Sequence, residues 1–246
     1  MNKQTPLNHR PTEELIALNA AHHIQPFANG DVTKKTGSRV IVRAEGIYLY
    51  DSEGNRILDG MAGLWCVNIG YGRNELAEVA QRQMQQLPYY NTFFQTTHPP
   101  VVELAAKIAE LTPGDLNHVF FGNSGSDAND TNIRMVRHYW ASKGKPTKQI
   151  VISRENAYHG STVAATALGG MAHMHVQGAE NVGGLAHISQ PYWWVNGGDM
   201  TPEDFGLKCA AELESKINEL GEDNVAAFIA EPVQGAGGVI VPPNTY

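Results

Sequence analysis

The chain has 246 residues, a formal net charge of −7 and only two cysteines, Cys66 and Cys209, far apart. At 42% hydrophobic and 17% charged residues it has material for a large core in one domain or one and a half. Its basic residues are scattered, which argues against nucleic acid, and no apolar run approaches the roughly eighteen residues of a membrane helix. Two distant cysteines, and a start (Met1 to Thr5) without the apolar core of a signal peptide, point to a reduced, cytoplasmic compartment.

Residues 1–11 are polar, with two prolines, and read as a loose arm. Thr12, Glu13 and Glu14 then supply a hydroxyl cap and first-turn acids for a short helix carrying Leu15, Ile16 and Leu18. Residues 39–43 read as a strand. Residues 47–50 and 56–59, joined through Gly54, read as an antiparallel hairpin. The loop 60–72 is rich in glycine but holds Leu64 and Trp65, so it is a core crossing or a pocket wall and not a linker. These elements make a small α+β segment over residues 1–72.

A larger, incomplete α/β domain is expected over 73–246. Arg73 to Leu87 has one apolar stripe and is stopped by Pro88. An aromatic loop follows, Tyr89 to Phe94, and a helix from Pro100 to Leu111 ended by Pro113-Gly114. His118 to Phe121 is a short β-rich run. Next comes Gly122-Asn123-Ser124-Gly125-Ser126, and Asp127 opens a helix to about Lys143 with Ala128, Met135, Val136, Tyr139 and Trp140 on one face. Two readings of this turn stand together: a helix entry capped by Ser126 or Asp127, or a cradle for a phosphate at a helix N-terminus. It is neither a Walker loop nor a Gly-x-Gly-x-x-Gly fingerprint, so a phosphate held here suits a cofactor and not a nucleotide to be hydrolysed.

Residues 149–153 read as a buried strand, 156–161 as a loop, and Thr162 to Leu168 as a short helix. Residues 169–206 read as irregular. His173 and His175 there have no acid or cysteine cluster beside them, so no metal site is expected. Trp193 and Trp194 read as packing, and Asp199 to Asp204 as a helix entry. Leu207 to Leu220 is amphipathic, and Val225 to Ala230 is a continuous apolar strand leading into Glu231-Pro232-Val233-Gln234-Gly235. Strands near 118, 149 and 225 with helices between them imply a mainly parallel sheet covered on both faces. The loops 122–126, 156–160 and 231–236 then all lie beyond the carboxyl ends of the strands, where such folds bind ligands. That agreement favours the phosphate reading.

These motifs, in this order, resemble the class III aminotransferases. The hairpin Asp51 to Asp59, Gly70-Tyr71-Gly72, Phe121 to Ala128, Tyr158-His159-Gly160 and Ala230 to Gly235 carry the likeness, which is nearest to the ω-aminotransferases of the amine:pyruvate type. The resemblance implies a fold-type I scaffold, pyridoxal 5'-phosphate as cofactor, a homodimer when the chain is complete, and amino transfer from an amine or ω-amino acid to a 2-oxo acid through a ping-pong cycle. It implies that Gly125, Ser126 and the Asp127 N–H hold the cofactor phosphate. Tyr158 would stack on the ring with His159 supporting its loop, and Glu231 would orient near the ring substituents. Leu64, Trp65, Phe94, Tyr158 and Ala236 would line the substrate pocket, Phe94 across a dimer interface.

Such chemistry also needs a Schiff-base lysine and a carboxylate for the pyridinium nitrogen. The nine lysines all read as solvated, and the family places both groups after the Glu231 motif. The chain therefore reads as the N-terminal half of a longer enzyme, inactive alone. A truncated cofactor-binding or dimerising product, an aminomutase and a dialkylglycine decarboxylase are the alternatives.

Overall fold

A computed structural model describes residues 9–179 and 182–246. Most of the N-terminal arm, with Met1 to Thr5 and Lys3, lies outside the described residues. The chain divides into a first unit ending at Leu104 and a second from Ala105 to Tyr246.

The first unit begins with helices α1 (Thr12–His22) and α2 (Gly30–Thr36). Pro11, not a hydroxyl, occupies the cap position of α1, and no side chain bonds to its free N–H groups. In α2, which lacks an apolar stripe, the Asn29 side chain accepts from the Asp31 and Val32 N–H groups. Strands β1 (Ile41–Glu45), β2 (Tyr48–Asp51) and β3 (Arg56–Leu58) form an antiparallel sheet in the order β1-β2-β3. Asp51 closes the β2–β3 turn: its carboxylate accepts from the Glu53 and Asn55 N–H groups and the Asn55 amide. Next come a one-turn element α3 (Ala62–Trp65), helix α4 (Asn74–Gln86) and the start of helix α5 (Pro99–Leu111), which runs on into the second unit.

The second unit is built on a parallel sheet, but not on the three strands expected. Its order is β5 (Leu185–Ile188), β4 (Ile150–Arg154), β6 (Val225–Phe228). Residues 118–121 make no ladder among the described residues, because a β-rich run becomes a strand only where a neighbour accepts its backbone bonds. Strand β5 falls inside the stretch read as irregular; four residues, Leu185-Ala186-His187-Ile188, are too few for a period-two signal.

Both faces of the sheet are covered. On one face Ile133 of α6 (Gly125–Ser142) and Leu168 of α7 (Val163–Leu168) pack on Val151, with Ala227 and Ile229 alongside. The buried residue of α6 is thus Ile133, while Met135 and Tyr139 of the expected stripe stand about half exposed. On the other face Leu213, Ile217 and Leu220 of α10 (Pro202–Leu220) pack on Ile152, Ile188 and Val225. Helix α10 starts at the acidic entry as expected, with Thr201 capping the Asp204 N–H. Two short turns complete the unit, α8 (Ala172–His175) and α9 (Trp193–Asn196). Trp193 donates to the Met200 carbonyl, while Trp194 is 81% exposed.

One lysine departs from the solvated reading. Lys148 is buried at the amino end of β4, where its ammonium donates to the Glu222 and Val225 carbonyls at 2.6 and 3.1 Å. It also lies 4.9 Å from the centre of the Trp140 ring.

Candidate active site

Helix α6 begins two residues earlier than its apolar pattern suggests. Its N-cap is Ser124, in place of Ser126 or Asp127, and a reciprocal capping box closes the turn. The Asp127 N–H donates to Ser124 Oγ at 3.1 Å. The Asp127 carboxylate turns back and accepts from the Asn123 and Ser124 N–H groups at 2.8 and 3.3 Å. Consequently the Asp127 N–H, expected on a phosphate, is engaged within the cap. The Gly125 and Ser126 N–H groups have no acceptor among the described residues. A Cβ at Gly125 would meet nothing within 4 Å, so the approach to these two donors is open.

The loop after β4 is fastened onto this helix end. Ser161 N–H donates to Ser126 Oγ at 3.0 Å, leaving the Ser126 hydroxyl proton free to face a ligand. The Asn129 amide donates to the His159 carbonyl at 2.7 Å, and Thr162 donates to Asp130 at 2.9 Å. Gly160 has φ 136°, and a Cβ there would lie 2.7 Å from Ser126 Oγ and 2.8 Å from Ser126 Cα. Only glycine allows the Tyr158 loop to lie this close to the helix.

The loop after β6 joins from the other side. One Glu231 oxygen accepts from the Tyr158 N–H at 2.9 Å and the other from the Gly235 N–H at 3.0 Å. Gln234, fully buried, donates to the Glu155 carbonyl at 2.9 Å. Gln234 and Ile240 exchange two backbone bonds, so residues 234–240 form a tight hairpin that carries Ala236. Glu231 thus holds the Tyr158 backbone, and Tyr158 itself is half-buried.

Two buried polar groups complete the site. His159 is 7% exposed, and its Nε2 has no hydrogen-bond partner. Burial pulls the imidazole below its ordinary value; Glu231 opposes this, while Arg154 and His187 reinforce it. Arg154, the last residue of β4, is 1% exposed and donates to the Glu231 carbonyl. The sequence reading missed Arg154, although an arginine closing an apolar strand is itself a signal that something polar lies at that end. His175 and His187 both approach the Gly169 carbonyl, at 2.7 and 2.8 Å. Among the described residues no group of three metal-ligating side chains occurs.

The remaining candidates belong to the first unit. Leu64, Trp65 and Phe94 have φ of 65°, 67° and 56°, and all three are largely exposed. A left-handed backbone costs roughly 1–2 kcal/mol at each non-glycine residue. Such strain gathers where a side chain must be presented in one direction.

The family model for the class III aminotransferases matches residues 30–246. The chain belongs to the class III aminotransferases. It is 60% identical, over all 246 residues, to a putrescine–pyruvate aminotransferase of Pseudomonas aeruginosa, of which it covers 54%. A diaminobutyrate–2-oxoglutarate transaminase of Halomonas elongata is 40% identical over 94% of this chain and 49% of its own length. Among solved structures, an (S)-enantioselective omega-transaminase from Thermomicrobium roseum superposes with a TM-score of 0.94 at 43% identity, over 97% of this chain and 53% of that one. The omega-transaminase of Pseudomonas jessenii, in complex with PMP, gives 0.92 at 39% identity, over 94% of this chain and 51% of that one. This class III chain therefore has the fold-type I scaffold of a pyridoxal-phosphate-dependent family, and spans about half the length of the relatives it matches.

Proposed function

We propose that the complete protein moves an amino group from an amine or ω-amino acid, with a diamine such as putrescine as the leading donor, to a 2-oxo acid such as pyruvate. The observation that carries this reading is the pair of free N–H groups at Gly125 and Ser126, framed by the Tyr158 and Glu231 loops in a class III chain. The donor class rests on the identity to the putrescine–pyruvate enzyme.

The residues present fit pyridoxal 5'-phosphate. The Gly125 and Ser126 N–H groups and the Ser126 hydroxyl would take its phosphate, where the positive end of α6 favours the charge. Asp127 shapes that turn through its carboxylate. Tyr158 would lie against the ring, and Glu231 fixes the Tyr158 backbone so that the face stays in place. His159, with Nε2 buried and unpartnered, would meet a polar group that arrives with the completed site. When bound, the cofactor supplies the electron sink for breaking the bond at the amine carbon and carries the amino group between two half-reactions.

Leu64, Trp65, Phe94 and Ala236, with the Tyr158 hydroxyl, would select the amine by size. The lysine needed to carry the cofactor and move the proton is assigned to a segment outside these 246 residues. Lys148 is committed to two carbonyls at the amino end of β4, away from the site, and the other described lysines are exposed or half-exposed. A homodimer, with Phe94 at the subunit contact, completes the proposal.

The test uses the full-length protein loaded with pyridoxal 5'-phosphate, 1,4-diaminobutane and pyruvate. Alanine formation that depends on all three is expected. No alanine from this or any other primary amine would overturn the assignment.

A further inference from the structure

The four residues of α3 all have positive φ: Ala62 46°, Gly63 63°, Leu64 65° and Trp65 67°. The turn is therefore left-handed, and three of its four residues are not glycine. It is closed by its own backbone, Trp65 N–H to Met61 O at 2.8 Å and Cys66 N–H to Ala62 O at 3.0 Å. Leu64 and Trp65 project from it, with relative exposures of 74% and 55% within these 246 residues.

Beyond the turn's own bonds, a single carboxylate oxygen fastens it to the neighbouring strand ends. Asp59 Oδ2 accepts the Gly63 N–H at 2.8 Å and the Tyr71 hydroxyl at 2.6 Å. Both Asp59 and Tyr71 are tied to the antiparallel sheet. The Asp59 N–H donates to the Ile47 carbonyl at 2.9 Å, and Tyr71 forms an isolated antiparallel bridge with Gly46. The Asp59 carboxyl is held below the usual carboxylate range, first by the Tyr71 hydroxyl and then by the Gly63, Met61 and Ala62 N–H groups. Tyr71 is pushed up by the same contact. The fit around the oxygen is close: a Cβ on Gly63 would lie 3.2 Å from the Tyr71 hydroxyl and 2.4 Å from Val67 Cγ2.

We infer that Asp59 and Tyr71 are positioning residues for amine selection, acting through the left-handed turn that presents Leu64 and Trp65. This rests on the reading that Leu64 and Trp65 line the substrate pocket. A strained turn has right-handed alternatives of lower intrinsic cost. Removing the clamp releases the turn toward them and moves both side chains together, and neither clamp residue belongs to the phosphate-binding set. The expected signature is therefore a changed choice among amines with unchanged cofactor affinity.

The experiment uses the full-length holoenzyme with pyruvate and two donors, 1,4-diaminobutane and 1-phenylethylamine. Variants are Tyr71→Phe, Asp59→Ala and, as the control on the pocket reading, Trp65→Leu. The ratio of kcat/KM for the two donors should shift by about tenfold in Asp59→Ala, which removes both accepted bonds, and in the same direction, by less, in Tyr71→Phe, the scale of one apolar group more or less in a pocket. Cofactor affinity, read by spectroscopic titration of the apoenzyme, should stay at the wild-type value. If Trp65→Leu shifts the ratio while both clamp variants leave it unchanged, the clamp has no part in selection and the inference falls alone. If Trp65→Leu also leaves the ratio unchanged, the pocket reading falls and takes the inference with it. A uniform loss for both donors with weakened cofactor binding would make the clamp merely structural. Tyr71→Phe keeps the ring and its backbone bridge, so it decides the matter should Asp59→Ala not fold.

Discussion

Single residues decide how the site can hold an anion. Ser126 presents two donors, its backbone N–H and its hydroxyl proton, with Oγ meanwhile accepting from Ser161. Ser126→Ala in the full-length protein should weaken cofactor binding more than it slows turnover at saturating cofactor. A hydrogen bond to a charged group is worth roughly 1.5–3 kcal/mol, about ten- to a hundredfold in affinity. Titration of the apoenzyme reads this directly, and unchanged affinity would remove Ser126 from the phosphate site. His159 makes a second prediction. Burial lowers its folded value below the ordinary 6.5, so the unfolded chain takes up the proton first as pH falls. Its contribution is thus complete above about pH 6.5 and is lost progressively below it, toward the lower folded value. Wild-type protein should lose more thermal stability between about pH 7.5 and 5.5 than His159→Gln does. Equal losses would show that His159 is not held neutral by burial.

Elements show how separate parts of the chain are brought to one place. The loops after β4 and β6 meet because Glu231 accepts from the Tyr158 N–H, and Gly160 lets the first of them approach the start of α6. At the opposite end of the same strands, Lys148 ties the start of β4 to β6. Lys148→Met keeps the stem but leaves the Glu222 and Val225 carbonyls without this donor. It should cost about 1–3 kcal/mol, read from the urea midpoint, with donor preference unchanged. In the first unit, Leu64, Trp65 and Phe94 owe their directions to left-handed backbone, not to burial. Smaller residues at Trp65 or Phe94 should admit bulkier amines. Rates across a graded amine series check this, and a uniform change in every rate would leave these residues with a structural role only.

At the scale of the whole chain, apolar surface is the dominant feature. Phe94, Trp194, Tyr89, Leu64 and Phe120 are each at least two-thirds exposed, with relative exposures of 92, 81, 78, 74 and 68%. Large apolar side chains left in water favour association with other protein surface. Residues 1–246 expressed alone should therefore associate, eluting from size exclusion as broad, heavy species, and should give background rates with an amine and pyruvate. A monodisperse monomer with turnover would overturn both expectations. Among the described residues no helix is long and apolar enough to cross a membrane.

The sequence by itself determined the class of fold and the motifs that meet at the site. The hairpin, the helix stripes of α4 and α10 and the strand β4 are written in local periodicity and turn residues, which short-range sterics enforce. The order of Gly-Asn-Ser-Gly-Ser, Tyr-His-Gly and Glu-Pro-Val-Gln was enough to point to the family. Only the tertiary structure decided which atoms remain free to act. Ser124 and not Ser126 caps α6, because Asp127 sits three residues on and completes the reciprocal pair. That choice engages the Asp127 N–H and leaves Gly125 and Ser126 as the donors. Strand β5 exists because β4 offers it a parallel edge, and residues 118–121 form no strand where no such edge is present among the described residues. Lys148 is buried because folding brings the Glu222 and Val225 carbonyls to its amine across more than seventy residues of sequence. At the left-handed turn Ala62–Trp65 the Gly63 N–H finds its acceptor in Asp59, an oxygen that Tyr71 reaches from the other side of the loop. Periodicity is a property of neighbours in the chain, whereas each of these outcomes depends on a partner that only folding brings near.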